Sequence, residues 1–171
     1  KMDGAELAAC VPRPCILAAD EGYNQEWSTE LTVAQAQDEY IKAWCALKVM
    51  SKVYGFGDPD GFVFNMSVGY DLDGIKGRKI NTYINSMMDA GKTSQFKECK
   101  KVLTELFPEE KDFIASISPN VSRSVTLSTL HGCPPQEIER IASYLLKEKH
   151  LHTFVKCNPT ILGYKTARSI L

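Results

Sequence analysis

Gly61-Phe62-Val63-Phe64-Asn65-Met66-Ser67-Val68 is the stretch on which the fold turns. Its β-branched and aromatic residues suit a pleated, packed strand, and it runs straight into a Gly-containing end. Two later stretches have the same character: Ser124-Val125-Thr126-Leu127-Ser128-Thr129 and His152-Thr153-Phe154-Val155-Lys156-Cys157. Each is short and apolar, as a strand buried in a parallel sheet should be. Pro14-Cys15-Ile16-Leu17-Ala18-Ala19 reads as a further strand.

Helical periodicity fills the intervals. Tyr40, Ile41, Trp44, Leu47, Met50 and Tyr54 recur at helical spacing. They predict a helix from Thr32 to Tyr54, with Thr32 as its cap and Gly55 as its stop. One or two helices are expected between Gly74 and Ile117, broken near Gly91-Lys92-Thr93 and at Pro108. A third runs from Pro134 to Lys149, where two prolines suit the first turn and Ile138, Ile141, Ala142 and Leu145 form one face. Short apolar strands alternating with helices imply parallel βα units. The chain shows no internal repeat and no low-complexity linker.

The composition is that of an ordinary globular domain. Of 171 residues, 44% are hydrophobic and 24% charged, and 20 basic residues against 21 acidic ones leave a formal charge of −1. Neither a nucleic-acid groove nor an anionic membrane surface is expected as a partner, because each favours a basic excess. No apolar run is long enough to cross a bilayer. The six cysteines (Cys10, Cys15, Cys45, Cys99, Cys133 and Cys157) include no CxxC pair. They read as buried or reactive thiols of a reducing cytoplasm rather than as a disulfide framework.

Polar residues gather at the strand ends: Asn65 and Ser67, then Ser128, Thr129 and His131, then Lys156 and Asn158. Parallel barrels and open sheets bind ligands at the carboxyl ends of their strands. Lys156 stands in an apolar strand, so its cation must meet solvent or an anionic group. Three roles are open to it: partner of an anionic cofactor edge, Schiff-base amine of an aldolase-like barrel, or solvated edge-strand lysine. Ser128 and Thr129 can exchange a proton with a substrate, or simply satisfy loop backbone. Glu30 lies near a helix entry, where a carboxylate is favourable without any ligand. Asp71-x-Asp73-Gly74 resembles a piece of a calcium loop, but the ligand ladder that should follow is missing. His131, Cys133, His150, His152 and Cys157 match no compact zinc spacing, so no metal is expected.

Taken together, these strings are similar to a family. Ser28-Thr29-Glu30-Leu31, Phe64-Asn65-Met66-Ser67-Val68-Gly69-Tyr70, Leu127-Ser128-Thr129-Leu130-His131-Gly132 and Phe154-Val155-Lys156-Cys157-Asn158-Pro159-Thr160 occur in the order found in the flavin barrel of dihydropyrimidine dehydrogenase. Over essentially the whole chain the sequence resembles the barrel domain of the family named "putative selenate reductase, iron–sulfur/flavoprotein subunit". Gly22-Tyr23-Asn24, Glu26-Trp27-Ser28-Thr29-Glu30 and Ser128-Thr129-Leu130-His131-Gly132-Cys133-Pro134-Pro135 carry that likeness.

The resemblance implies an α/β fold: a partial (β/α)8 TIM barrel of the dihydroorotate dehydrogenase-like type. Residues 1–171 would form one domain, roughly the middle half of the barrel. In the complete barrel the cofactor would be FMN, bound through Lys156. Glu30, Asn65, Asn158 and Thr126 would contact a small oxidised substrate, a nitrogen heterocycle by analogy, while Thr129 or Ser128 would handle a proton. Two residues depart from the dehydrogenases. Thr129 stands where that family usually has a catalytic Cys, and Thr126 where it has a ligand-binding Asn. A threonine is a poorer acid than a thiol, so the Cys mechanism does not transfer. The resemblance assigns 4Fe-4S clusters, FAD and NAD(P)H to other redox domains of the parent chain, which would be its partners. The isolated chain is expected to be inactive and to hold FMN weakly. The rival is a degenerate barrel that docks redox domains and binds no flavin.

Overall fold

A computed structural model describes residues 32–128, 134–156 and 163–170. Helix α1 (Val33–Tyr54) opens this part of the chain. Thr32 accepts the Gln35 N–H while the Gln35 side chain accepts the Thr32 N–H, a reciprocal capping box. Gly55 ends the helix in the left-handed region at φ 67°, where a side chain would be strained. Both ends match the expected boundaries, because caps and stops are local chemistry.

Strand β1 (Phe64–Val68) follows, then β2 (Ser122–Ser128) and β3 (His152–Lys156). They form one sheet in the order β1-β2-β3, and both pairings are parallel. The expected parallel architecture is therefore present. β1 begins at Phe64 rather than Gly61, since Gly61 donates to the Asp58 carbonyl in a turn and a register shift between Phe64 and Asn65 ends the ladder. β2 starts two residues earlier than expected, at Ser122. Its hydroxyl donates to the Phe64 carbonyl at 2.7 Å and so supports that irregular start.

Between β1 and β2 the chain forms α2 (Leu72–Lys76), α3 (Arg78–Met88), α4 (Ser94–Leu106) and α5 (Lys111–Ser116). Short 3-10 turns at Ala90–Lys92 and Pro108–Glu110 stand at the two expected breaks. The further break comes at Gly77, so the expected one or two helices are four. Asp71 caps α2 by accepting the Gly74 N–H at 2.8 Å.

Helix α6 (Pro135–Lys147) joins β2 to β3, and buries Ile141, Tyr144 and Leu145. Helix α7 (Gly163–Ile170) was not foreseen from the sequence.

The core lies on one face of the sheet. Met66, Val68, Val125 and Leu127 point into a cluster with Ile41, Trp44 and Val49 of α1, Ile80, Ile84 and Met87 of α3, Ile114 of α5 and Leu145 of α6. Full burial of each large aliphatic side chain stabilises the fold by about 1.5–3 kcal/mol. Trp44 donates its indole N–H to the Ser118 carbonyl at 2.9 Å and meets Phe62 and Phe64 edge-on. Lys48, buried beside it, satisfies its cation with Asp60 at 2.7 Å and the faces of Trp44 and Phe62. The start of β2 is pinned to the end of α3, with the Val121 N–H donating to the Met87 carbonyl and the Asn120 amide to that of Met88.

β3 was expected to be buried like the other strands, yet His152, Phe154, Val155 and Lys156 are exposed. Among the described residues it pairs on one side only, with β2, and side chains on both of its faces are exposed.

Candidate active site

The strands alternate, and their second face is polar. Register partners in a sheet project to the same side. Asn65 pairs with Ser124 and Ser67 with Thr126. Across the next ladder Ser124 pairs with His152, Thr126 with Phe154, and Ser128 with Lys156. One face therefore carries Asn65, Ser67, Ser124, Thr126, Ser128, His152 and Lys156, with Phe154 as its apolar member. The opposite face carries Met66, Val68, Val125 and Leu127, all buried under the helices.

In a barrel the helices lie outside and the other sheet face lines the interior. Bulky branched side chains normally fill that interior. Here that face of the sheet carries hydroxyls, an amide, an imidazole and a lysine cation instead. Such groups buried without partners would be costly, whereas water or a polar ligand satisfies them.

Asn65 and Thr126 are brought into direct contact. The Asn65 amide donates to Thr126 Oγ at 2.7 Å, which leaves the Asn65 carbonyl to accept and the Thr126 hydroxyl to donate elsewhere. Asn65 is the second residue of β1 rather than its end, because the strand starts late; its side chain reaches forward across the ladder to Thr126. Ser128 closes β2 one strand-repeat further on, about 7 Å along at the usual rise per residue. Its register partner Lys156 closes β3. The carboxyl ends of two adjacent strands thus place a hydroxyl and a lysine cation side by side on the polar face.

Glu30, Thr129 and Asn158 lie outside the described residues, as do His131, Cys133 and Cys157. His150 and His152 are described, and no group of three His, Cys, Asp or Glu side chains among the described residues is disposed to hold a metal. Ser67, already marked as a polar strand-end residue, shares the polar face, and so do Ser124 and His152, to which the sequence reading gave no place in the site. The period-two pattern Ser124-x-Thr126-x-Ser128, set beside His152-x-Phe154-x-Lys156, was the available signal.

The strongly shifted titrating groups lie under the helices, away from this face. Burial pushes the Cys45 thiol up to about 12, with the neighbouring Cys99 adding to it. Burial also raises the Tyr83 phenol, whose hydroxyl has no hydrogen-bond partner among the described residues. The Lys149 amine is lowered by desolvation where α3 holds it through Asn81 and Asn85, an anchoring role at the end of α6. No described helix is long and apolar enough to cross a membrane.

Known proteins are similar to this sequence. The family described as "Oxidoreductase YgfK, N-terminal TIM-barrel domain" matches residues 1–171. "Putative oxidoreductase YgfK" of Escherichia coli K12 is 44% identical over 175 residues, covering 93% of this chain and 17% of the relative. The protein of the same name from Escherichia coli O157:H7 matches to the same extent. The chain thus spans about a sixth of the length of these curated relatives (17%). No solved structure matches it. Three parallel strands with helices over one face and polar groups on the other agree with that family description, and the chain belongs to the family of the N-terminal TIM-barrel domain of oxidoreductase YgfK.

Proposed function

We propose that this domain is the substrate-reducing barrel of a flavin-dependent oxidoreductase related to the dihydropyrimidine and dihydroorotate dehydrogenases. The observation that carries the reading is the pairing of Ser128 with Lys156 at adjacent strand ends, on the same face as the hydrogen-bonded Asn65 and Thr126. The donor set fits an FMN ring. A lysine cation suits the N1–C2=O edge, which gains negative charge on reduction, and the nearby hydroxyl and amide groups suit a polar substrate stacked beside it.

FMN, when bound, would supply the two-electron chemistry. Lys156 would hold the electron-rich edge of its ring. Ser128, together with Thr129, moves a proton to or from the substrate. Asn65 and Thr126 orient the substrate, with Glu30 and Asn158 completing the contacts. Because Asn65 offers an acceptor while Thr126 offers a donor, a nitrogen heterocycle with adjacent N–H and C=O groups is a suitable substrate class. Electrons would come from 4Fe-4S, FAD and NAD(P)H-binding domains of a cytoplasmic parent protein. No residue of the polar face singles out selenate.

The test is the visible spectrum of the full-length protein with and without Lys156→Ala. A flavin band that persists in the parent and is lost or shifted in the variant supports the reading. A parent with no barrel-bound flavin leaves the domain as a docking module and overturns it.

A further inference from the structure

A cavity of about 280 Å³ lies at the amino ends of the strands, opposite Ser128 and Lys156. Phe64 begins β1, Ser122 begins β2 and His152 begins β3, and all three line it. Ser124 lines it as well, and Ser128 stands about 13 Å further along β2 at the usual rise per residue. Trp44 of α1 and Val63 complete an apolar wall with Phe64, the Trp44 and Phe64 rings meeting edge-on at 5.4 Å.

Most polar groups around this wall are already committed. Trp44 donates its indole N–H to the Ser118 carbonyl at 2.9 Å. The Ser122 hydroxyl donates to the Phe64 carbonyl at 2.7 Å, and that of Ser124 to the same carbonyl at 3.3 Å. The Asn120 amide donates to the Met88 carbonyl at 3.0 Å. Two side chains remain uncommitted. The Arg123 guanidinium and the His152 imidazole are exposed and make no hydrogen bond or ion pair among the described residues. No carboxylate of the described residues lines the cavity.

We propose that this cavity binds a planar organic carboxylate, held by Arg123 and His152 with its ring against Trp44, Phe64 and Val63. A guanidinium presents two parallel N–H groups that match the two oxygens of a carboxylate. His152 adds a ring N–H from the neighbouring strand. The apolar wall gains from burying a hydrocarbon body, which an inorganic anion lacks. Pockets for drug-sized ligands run from about 300 to 1,000 Å³, so this smaller cavity suits a single ring. The site needs no flavin and stands apart from the chemistry proposed at the carboxyl ends of the strands.

The experiment is saturation-transfer NMR of benzoate with the full-length protein. Transfer to the benzoate ring protons should saturate with concentration. Benzamide, of the same shape but neutral, should bind more weakly by about tenfold or more, as the loss of charge-assisted hydrogen bonds requires. Arg123→Gln should weaken benzoate binding by about the same factor. Val63 is 85% exposed, so Val63→Trp can fill the cavity without entering the core, and it should abolish binding. Melting temperatures of both variants should match the parent, because both positions are exposed. Transfer that fails to saturate, equal affinity for benzamide, or unchanged benzoate binding in either variant overturns the proposal. Displacement of benzoate by an equal concentration of inorganic phosphate also overturns it, since a plain anion site makes no use of the apolar wall.

Discussion

Lys156 is the residue on which the chemical reading depends. It is exposed on the polar face beside Ser128, not locked into the core, so its removal should spare the fold. In the full-length protein Lys156→Ala should abolish turnover and weaken flavin binding, with the circular dichroism spectrum and melting temperature unchanged. Retained activity would remove it from the site. Asn65 and Thr126 make a neutral hydrogen bond on the same solvent-accessible face. Thr126→Val should therefore change folding stability by less than about 1 kcal/mol in urea titrations, because a net neutral hydrogen bond contributes only about that much. A larger loss would mean that the pair holds the sheet together and has no need of a ligand. Tyr83 is the opposite case. Its ring is core and its hydroxyl is buried without a partner among the described residues. Tyr83→Phe should leave stability unchanged or raise it by about 1 kcal/mol, since an unsatisfied buried hydroxyl is removed at almost no change of shape.

At the scale of elements, α1 shows how much local chemistry determines. The capping box at Thr32 and the left-handed Gly55 bracket 22 residues whose boundaries were evident before any tertiary contact was known. Thr32→Ala should lower stability by about 1 kcal/mol through the loss of a cap. Gly55→Ala should cost about 1–2 kcal/mol because the left-handed conformation crowds a β-carbon. Equal melting temperatures for the parent and both variants would show that the end of α1 frays in the native state. The segment between Gly74 and Ile117 was less legible. Gly91 and Pro108 marked two breaks, but α2, which ends at Gly77, packs against α6, where the Leu72 N–H donates to Glu137 at 2.9 Å. That bond joins residues far apart in sequence, so no local pattern announces it.

For the molecule as a whole, the buried acids set a direction for pH dependence. The folded-state values of Cys45 and Tyr83 are raised above the ordinary 9.0 and 10.0. Below those ordinary values both groups keep their protons in either state, and their contribution is fully present. As pH rises past them the unfolded chain releases protons that the folded chain retains, so stability falls. The urea midpoint should drop above pH 9.0 and more steeply above 10.0, and Tyr83→Phe should flatten the steeper part. A midpoint that rises with alkaline pH would show that these side chains reach water in the native state.

Short-range chemistry was legible in the residues alone: the three strands, the α/β order, the caps of α1, the breaks at Gly91 and Pro108, and the likeness to a TIM barrel. They also marked Lys156 as a cation in an apolar strand, and Ser128 and Asn65 as polar residues at strand ends. Tertiary structure alone decided which residues share a face. Register in a parallel sheet is set by pairing across dozens of intervening residues, and a shift of one residue would turn every side chain over. For that reason Asn65 meets Thr126 from an early position in its strand, His152 and Ser124 join the polar face, and β3 stands exposed where burial was expected. The packing of α1 on α4 has the same origin, because it exists only once two helices separated by β1, α2 and α3 have come together.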